Sequence, residues 1–293
     1  MRTFATYHPS VLLLYFSGVA LITALTFHPF LLAFSFLGAF LWAGRLESGK
    51  AVVLSLGFYV PLFLLLALIN PLFSHNGVTP LFFLNDNPVT LEAVLYGAAI
   101  AGMMVSILYW GRCYSQVMTS DKFIYLFGKA IPKLSLFLSI ALRFCPLFLK
   151  QMKKIHQTQR TMGLYATESV VDRLRGRMRV FAAILTWSLE HAVDSAAAMR
   201  ARGYGLPGRT NFSRFRFTLG DLALLGLLVL LFGWTALGFR GGSLRFAFYP
   251  GMSELELSWY AKANYGGVLI LMLLPFLSEV KETILWNYFR SKI

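Results

Sequence analysis

The chain has 293 residues, 57% of them hydrophobic and only 14% charged, with a mean hydropathy of +0.63. That composition excludes an ordinary water-soluble globular class and points to an all-α polytopic membrane protein. Its net charge of +14 is confined: Arg112 to Arg216 holds 18 of the 27 Lys and Arg but 5 of the 13 Asp and Glu, hence +13 of the total.

In so apolar a chain, a basic segment of this kind suits an anionic membrane surface or an acidic protein partner, not nucleic acid. Two cysteines, Cys113 and Cys145, supply neither a disulfide framework nor a zinc site. The start, through Tyr7-His8-Pro9, shows no small-residue cleavage site after the first apolar run, so that run reads as a retained membrane helix.

In chain order, Ser10 to Thr26 is the first apolar run, closed by Phe27-His28-Pro29, and Phe30 to Gly44 is the second. A charged loop, Arg45 to Lys50, precedes a third run from Ala51 to Ile69, which Asn70-Pro71 is expected to end. Residues 72–90 contain no Lys or Arg and read as an external loop containing His75; Leu91 to Trp110 is the fourth run. The positive-inside rule then places Arg45, Lys50 and the whole Arg112 to Arg216 segment in the cytoplasm, and both termini with them.

Leu134 to Leu149 is apolar, but Arg143 lies in its middle. A central Arg costs about 2.5–3.5 kcal/mol on insertion scales, so the run reads as an interfacial helix. Leu219 to Phe239 is a fifth span, Gly241 to Lys262 an aromatic external loop, and Gly266 to Val280 the core of a sixth. Three regions result: N-terminal transmembrane helices over 1–118, a cytoplasmic and interfacial region over 119–216, and C-terminal transmembrane helices over 217–293.

Within the basic region, Arg177 to Gly203 reads as one amphipathic helix. Phe181, Ile184, Ser188, Ala192, Ser195 or Ala196, and Met199 recur at spacings of three and four. Gly203, Gly205, Pro207 and Gly208 end it after about 26 residues, or roughly 39 Å. Small residues at Ala192, Ser195, Ala196, Ala197 and Ala198 would permit close approach of another helix. Glu190 and Asp194, four apart, read as ion-pair partners for nearby Arg, not as a catalytic pair.

A weak repeat stands out: Thr158-Gln159-Arg160-Thr161-Met162-Gly163 against Met199-Arg200-Ala201-Arg202-Gly203. An Arg in the last turn complements the helix dipole, and Gly supplies the left-handed residue after it. Two such tips, with positive charge gathered around them, favour docking onto carboxylates of a partner.

Ala198-Met199-Arg200-Ala201-Arg202-Gly203-Tyr204, preceded by Leu142-Arg143-Phe144-Cys145-Pro146 and Gln159-Arg160-x-x-Gly163, resembles the transmembrane T component of energy-coupling factor (ECF) transporters. That family is also represented by the cobalt-transport permease subunit. The resemblance implies about six transmembrane helices plus long cytoplasmic coupling helices, in a scaffold subunit of the bacterial plasma membrane. It implies two ABC-type ATPases as partners, which bind the ATP and magnesium, and a small membrane S component that binds vitamin or metal ion. No cofactor would belong to this chain. The ATPase-coupling residues would be Gln159, Arg160, Thr161, Met162 and Gly163 at the first tip and Arg200, Ala201, Arg202 and Gly203 at the second. Thr161 and Met162 depart from the family's usual Ala and Arg, so the two contacts should differ in strength, with Arg160 partly substituting.

Gly44 to Ala51 matches GxxxxGK, but Ala51 replaces the magnesium-holding hydroxyl and a membrane helix precedes it where a strand is required. The five His have no metal-binding neighbours at helical spacing. A rival reading is a polytopic membrane enzyme acting on an anionic lipid, for which no convergent acids or nucleophile are found. A self-contained channel or secondary transporter would want ionisable residues within its spans, where Glu92 is the nearest.

Overall fold

The structure, a computed structural model, describes residues 3–74, 77–84, 87–128, 131–163, 170–207 and 215–291. His75, Gly208, Lys292 and the polar turn expected before Asp172 (164–169) lie outside them. The described chain is all-α apart from one hairpin. Its helices are α1 (Pro9–Leu25), α2 (Pro29–Leu46), α3 (Gly49–Phe73), α4 (Leu91–Val117), α5 (Ser120–Gly128), α6 (Pro132–Thr161), α7 (Val170–Ala201), α8 (Leu219–Arg240) and α9 (Trp259–Arg290).

The chain divides into two compact units, Met1–Ser120 with Phe215–Ile293, and Asp121–Arg214. Among the described residues, α2, α3, α4, Lys133–Thr161 of α6 and α8 have the length and apolarity to cross a bilayer. The six expected spans counted α1 and α9 and left out α6. At 17 residues, α1 is about 25 Å long, short of a ~30 Å hydrocarbon core. The chain is a multi-pass membrane protein.

In the first unit, aromatic side chains of α1, α2 and α4 interlock around a short 3-10 turn, Phe4–Thr6. Phe4 meets Trp42 edge-on at 5.4 Å, Phe16 stacks on Trp42 at 5.6 Å, and Tyr15 meets Trp110 at 5.9 Å. The indole nitrogen of Trp110 donates to Ser35 Oγ at 3.0 Å, and Thr23 Oγ1 lies 2.8 Å from the same oxygen, so these three buried polar side chains satisfy one another. The backbone N–H of His8 donates to Asp221 Oδ1 at 2.9 Å, tying the start of α1 to the N-terminal turn of α8. There Asp221 also closes a capping box with Thr218.

Helix α3 does not stop at Asn70-Pro71 but runs on to Phe73. A proline near a C-terminus removes one donor without breaking the last turn. The carbonyl thereby released is Ala67 O, and it abuts Gly97 of α4, where a Cβ would stand 2.5 Å from it. Asn70 Nδ2 reinforces the same junction by donating to Ala93 O at 2.8 Å.

The expected loop over 72–90 contains a hairpin, β1 (Pro80–Leu84) paired antiparallel with β2 (Asn87–Thr90). Its Leu-Phe-Phe run has strand propensity that loop composition concealed. Gly44 falls in the last turn of α2 and Gly49 opens α3, so Glu47 and Ser48 are the whole link. No loop is available there to wrap a phosphate. Instead Glu47 pairs with Arg112 of α4 and accepts from Gln116 Nε2 at 2.6 Å.

In the second unit, α6 and α7 pack together. Phe148 lies edge-on to Trp187 at 5.7 Å and Phe144 against His191 at 5.3 Å. One turn forward on α6 therefore meets one turn back on α7, an antiparallel seam. From Ile140 onward the half-buried residues of α6 are Ile140, Phe144, Phe148, Gln151, Ile155 and Gln159, spaced three or four apart.

Candidate functional site: the two helix tips

The α7 tip ends in a complete Schellman motif. Gly203 has φ +81°, its N–H donates to Arg200 O at 2.9 Å, and the N–H of Tyr204 reaches back to Met199 O at 3.0 Å. A side-chain-bearing residue is strained at such a φ, so glycine here follows from the turn itself. Arg202 N–H still donates to Ala198 O at 3.2 Å, so Arg202 keeps its helical direction. At 100° per residue Arg200 and Arg202 point about 200° apart around the axis. Arg200, Ala201 and Arg202 are exposed.

The α6 tip repeats the turn. Gly163 has φ +75° and donates to Arg160 O at 3.1 Å, while Met162 N–H donates to Thr158 O at 3.1 Å. Thr161 folds its hydroxyl back onto Thr158 O at 2.8 Å, as Ser and Thr do in a last turn. Arg160 and Met162 are exposed and Gln159 is half-buried. The two tips share a backbone device but differ in chemistry: one presents two guanidinium groups, the other a single Arg followed by a hydroxyl and a thioether.

The structure does not bring the tips together. Because α6 and α7 run in opposite senses, Gly203 is at the end of the seam where α6 begins, and Gly163 is at the other end. Arg202 instead shares a pocket with Arg143: both line one space of about 400 Å³ between the helices, together with His191 and Ser195. Sequence reasoning identified Arg143 as a charge unfavourable in a span and as part of the Leu142–Pro146 motif behind the family resemblance, with no contact role. That it shares a pocket with Arg202 follows from the antiparallel packing of α6 on α7, which no local pattern carries.

Trp187 and His191 were also unforeseen. They stack with centroids 5.1 Å apart and planes 9° apart, and their four-residue spacing puts both on the seam. Phe181 and Ala192, expected on the buried stripe, are exposed, while Ile184, Ser188, Ser195, Ala196 and Met199 are half-buried. The stripe is rotated toward the two rings, which bury more area than Ala192 could. Glu190 and Asp194 make no ion pair among the described residues. No Arg stands three or four residues from either acid on α7. Among the described residues no group of three or more His, Cys, Asp or Glu is placed to hold a metal.

Against known proteins, the profile of the CbiQ cobalt transport protein family matches residues 6–212. Curated relatives carry the name energy-coupling factor transporter transmembrane protein EcfT. The Listeria innocua protein is 35% identical over 105 residues, covering 35% of this chain and 40% of the relative. That of Exiguobacterium sibiricum is 35% identical over 112 residues, or 38% and 42%. The Lactobacillus helveticus protein is 32% identical over 110 residues, or 37% and 40%. The aligned stretch thus spans about two fifths of these relatives' length. The family is one of transport proteins and lends no support to a lipid-modifying enzyme. With a family profile covering well over half of its length, the chain belongs to the CbiQ cobalt transport protein family.

Proposed function

We propose that this chain is the scaffold subunit, or T component, of an ECF-type ABC importer in a bacterial plasma membrane. It transmits ATP-driven motion from two cytoplasmic ABC-type ATPases to a small membrane S component that binds a vitamin or metal ion. The observation that carries this reading is the Schellman-capped α7 tip, which presents Arg200 and Arg202 on a rigid turn in a strongly basic segment. Guanidinium groups fixed in this way suit carboxylates on a partner surface.

Arg202 is the principal contact to one ATPase. Arg160, with Gln159, Thr161, Met162 and Gly163, makes a weaker contact to the other. ATP and magnesium belong to the ATPases, and this chain holds no cofactor. Both termini and the α5–α7 region lie on the cytoplasmic side, with α6 at the interface. Its exposed Leu134, Phe137 and Leu149 enter the headgroup boundary while Arg143 stays at its edge.

Affinity purification of the tagged chain from its native membrane in mild detergent, followed by mass spectrometry, tests the reading. Two ABC ATPases and a small hydrophobic protein at stoichiometric amounts are expected, and the ligand of that small protein identifies the cargo. Recovery of the chain alone, even after cross-linking, rejects the scaffold role.

A further inference from the structure

The pocket between α6 and α7 combines features that neither helix explains alone. It has a volume of about 400 Å³, and Phe144, Leu147 and Met199 supply apolar wall. Arg143 from α6 and Arg202 from α7 both line it, and Ser195 is part of the same lining. Among the described residues neither guanidinium forms an ion pair. Two like charges on one apolar-walled space disfavour each other until an anion lies between them. The space exists because the seam changes character along α7: where Trp187 and His191 fill it with stacked rings, Ser195 and Ala198 one and two turns later are too small to do so.

Resting on the scaffold reading above, we propose that Arg143 and Arg202 together grip one Asp or Glu side chain of the docking ATPase. The receiving surface for the partner then extends from the α7 tip into the α6–α7 seam. A carboxylate can accept from two guanidinium forks at once, and an apolar side chain next to it on the partner covers Phe144, Leu147 and Met199. The volume falls near the lower end of the ~300–1,000 Å³ of ligand sites, room for one or two side chains and too little for a diacyl lipid. Arg143 is on this view a docking residue supplied by α6, and the α7 motif is half of the site.

The test uses the full chain in lipid nanodiscs with its two ATPases, and reads their dissociation constant at fixed salt. Arg143→Gln should weaken association by about tenfold or more, the scale of a lost charge-assisted bond. Arg143→Lys should fall between, since a point charge replaces a fork. Arg179→Gln, an exposed charge elsewhere on α7, should stay within about twofold. In an Arg202→Gln background, adding Arg143→Gln should cost much less than it does alone, because both act on one carboxylate. Unchanged thermal midpoints show that the variants fold. Binding by Arg143→Gln within twofold of the unmodified chain overturns the inference while leaving the scaffold role intact. Should that variant keep its ATPases but lose a co-purifying anionic phospholipid, the pocket is a lipid site and the inference is equally overturned. If the unmodified chain binds no ATPase, the functional reading itself has failed.

Discussion

The hydroxyl of Tyr15 donates to Leu271 O at 3.2 Å, and Leu271 is the residue whose carbonyl Pro275 leaves without a helical donor. Tyr15 is fully buried, so α1 repairs in the core a defect that proline creates in α9. Tyr15→Phe strips that carbonyl of its donor and should destabilise the protein by about 1–3 kcal/mol. In a Pro275→Ala background the residue at 275 recovers an N–H, and the same substitution should cost markedly less. Thermal unfolding of the four proteins in detergent measures the coupling, and additive effects would refute the relationship.

The junction of α3 and α4 depends on the absence of a side chain at one place. Gly97→Val sets atoms against Ala67 O, a backbone atom that cannot turn away. An overpacking cost of about 1–3 kcal/mol is expected, visible as a lower thermal midpoint. An unshifted midpoint would mean that α3 moves freely against α4.

At the α7 tip, Arg202→Glu should abolish ATPase association by reversing charge, and Arg202→Ala should weaken it less. Arg160→Glu should produce a smaller loss than Arg202→Glu, because the α6 tip offers a single guanidinium. Co-purification of tagged ATPases reports all three. Equal losses at the two tips would contradict the predicted asymmetry.

His28 is buried ahead of α2 and shares its Nε2 with the Tyr265 hydroxyl at 3.1 Å. Burial lowers its pKa below the usual imidazole value. The unfolded chain therefore takes up this proton first as pH falls, and protonation favours unfolding. Stability should be full above about pH 6.5 and decline below it, down to the lower folded value. His28→Gln should flatten that dependence between pH 7.5 and 5.5. Identical slopes in both proteins would remove His28 as the cause.

The two thiols discriminate between an interfacial and a spanning α6. Cys145 is exposed on α6 and Cys113 is buried in α4. A membrane-impermeant maleimide added from the cytoplasmic side should label Cys145 and leave Cys113 unmodified. Labelling only after detergent solubilisation would place α6 within the hydrocarbon.

Much of this was legible from apolar runs alone, because length and hydropathy suffice where a helix faces lipid. The fifth run, Leu219 to Phe239, differs from α8 by one residue at its end. Pro71 was misread because a proline stops a helix only if its missing donor matters, and here the freed carbonyl meets Gly97. Gly163 and Gly203 announced their turns, since left-handed backbone and glycine go together. The α7 stripe was placed one facet off, because small residues and rings compete for a seam that only the partner helix defines. The pocket that Arg143 and Arg202 share was invisible for the same reason: 59 positions apart in the chain, they are brought together by the packing of two helices, not by pattern.

The antiparallel run of α6 and α7 also makes their tips a ruler. The ring pairs Phe144–His191 and Phe148–Trp187 put Arg202 level with the first turn of α6, and Gly163 lies about thirty residues further along, about 45 Å away at 1.5 Å per residue. Whatever receives both tips must offer two sockets at that spacing, a demand that two copies of one protein, paired about a twofold axis, can meet. Four residues inserted into α6 beyond Gln151 would lengthen the gauge by about 6 Å and turn the far tip by about 40°. The near socket would still accept its tip, and the far one would be missed.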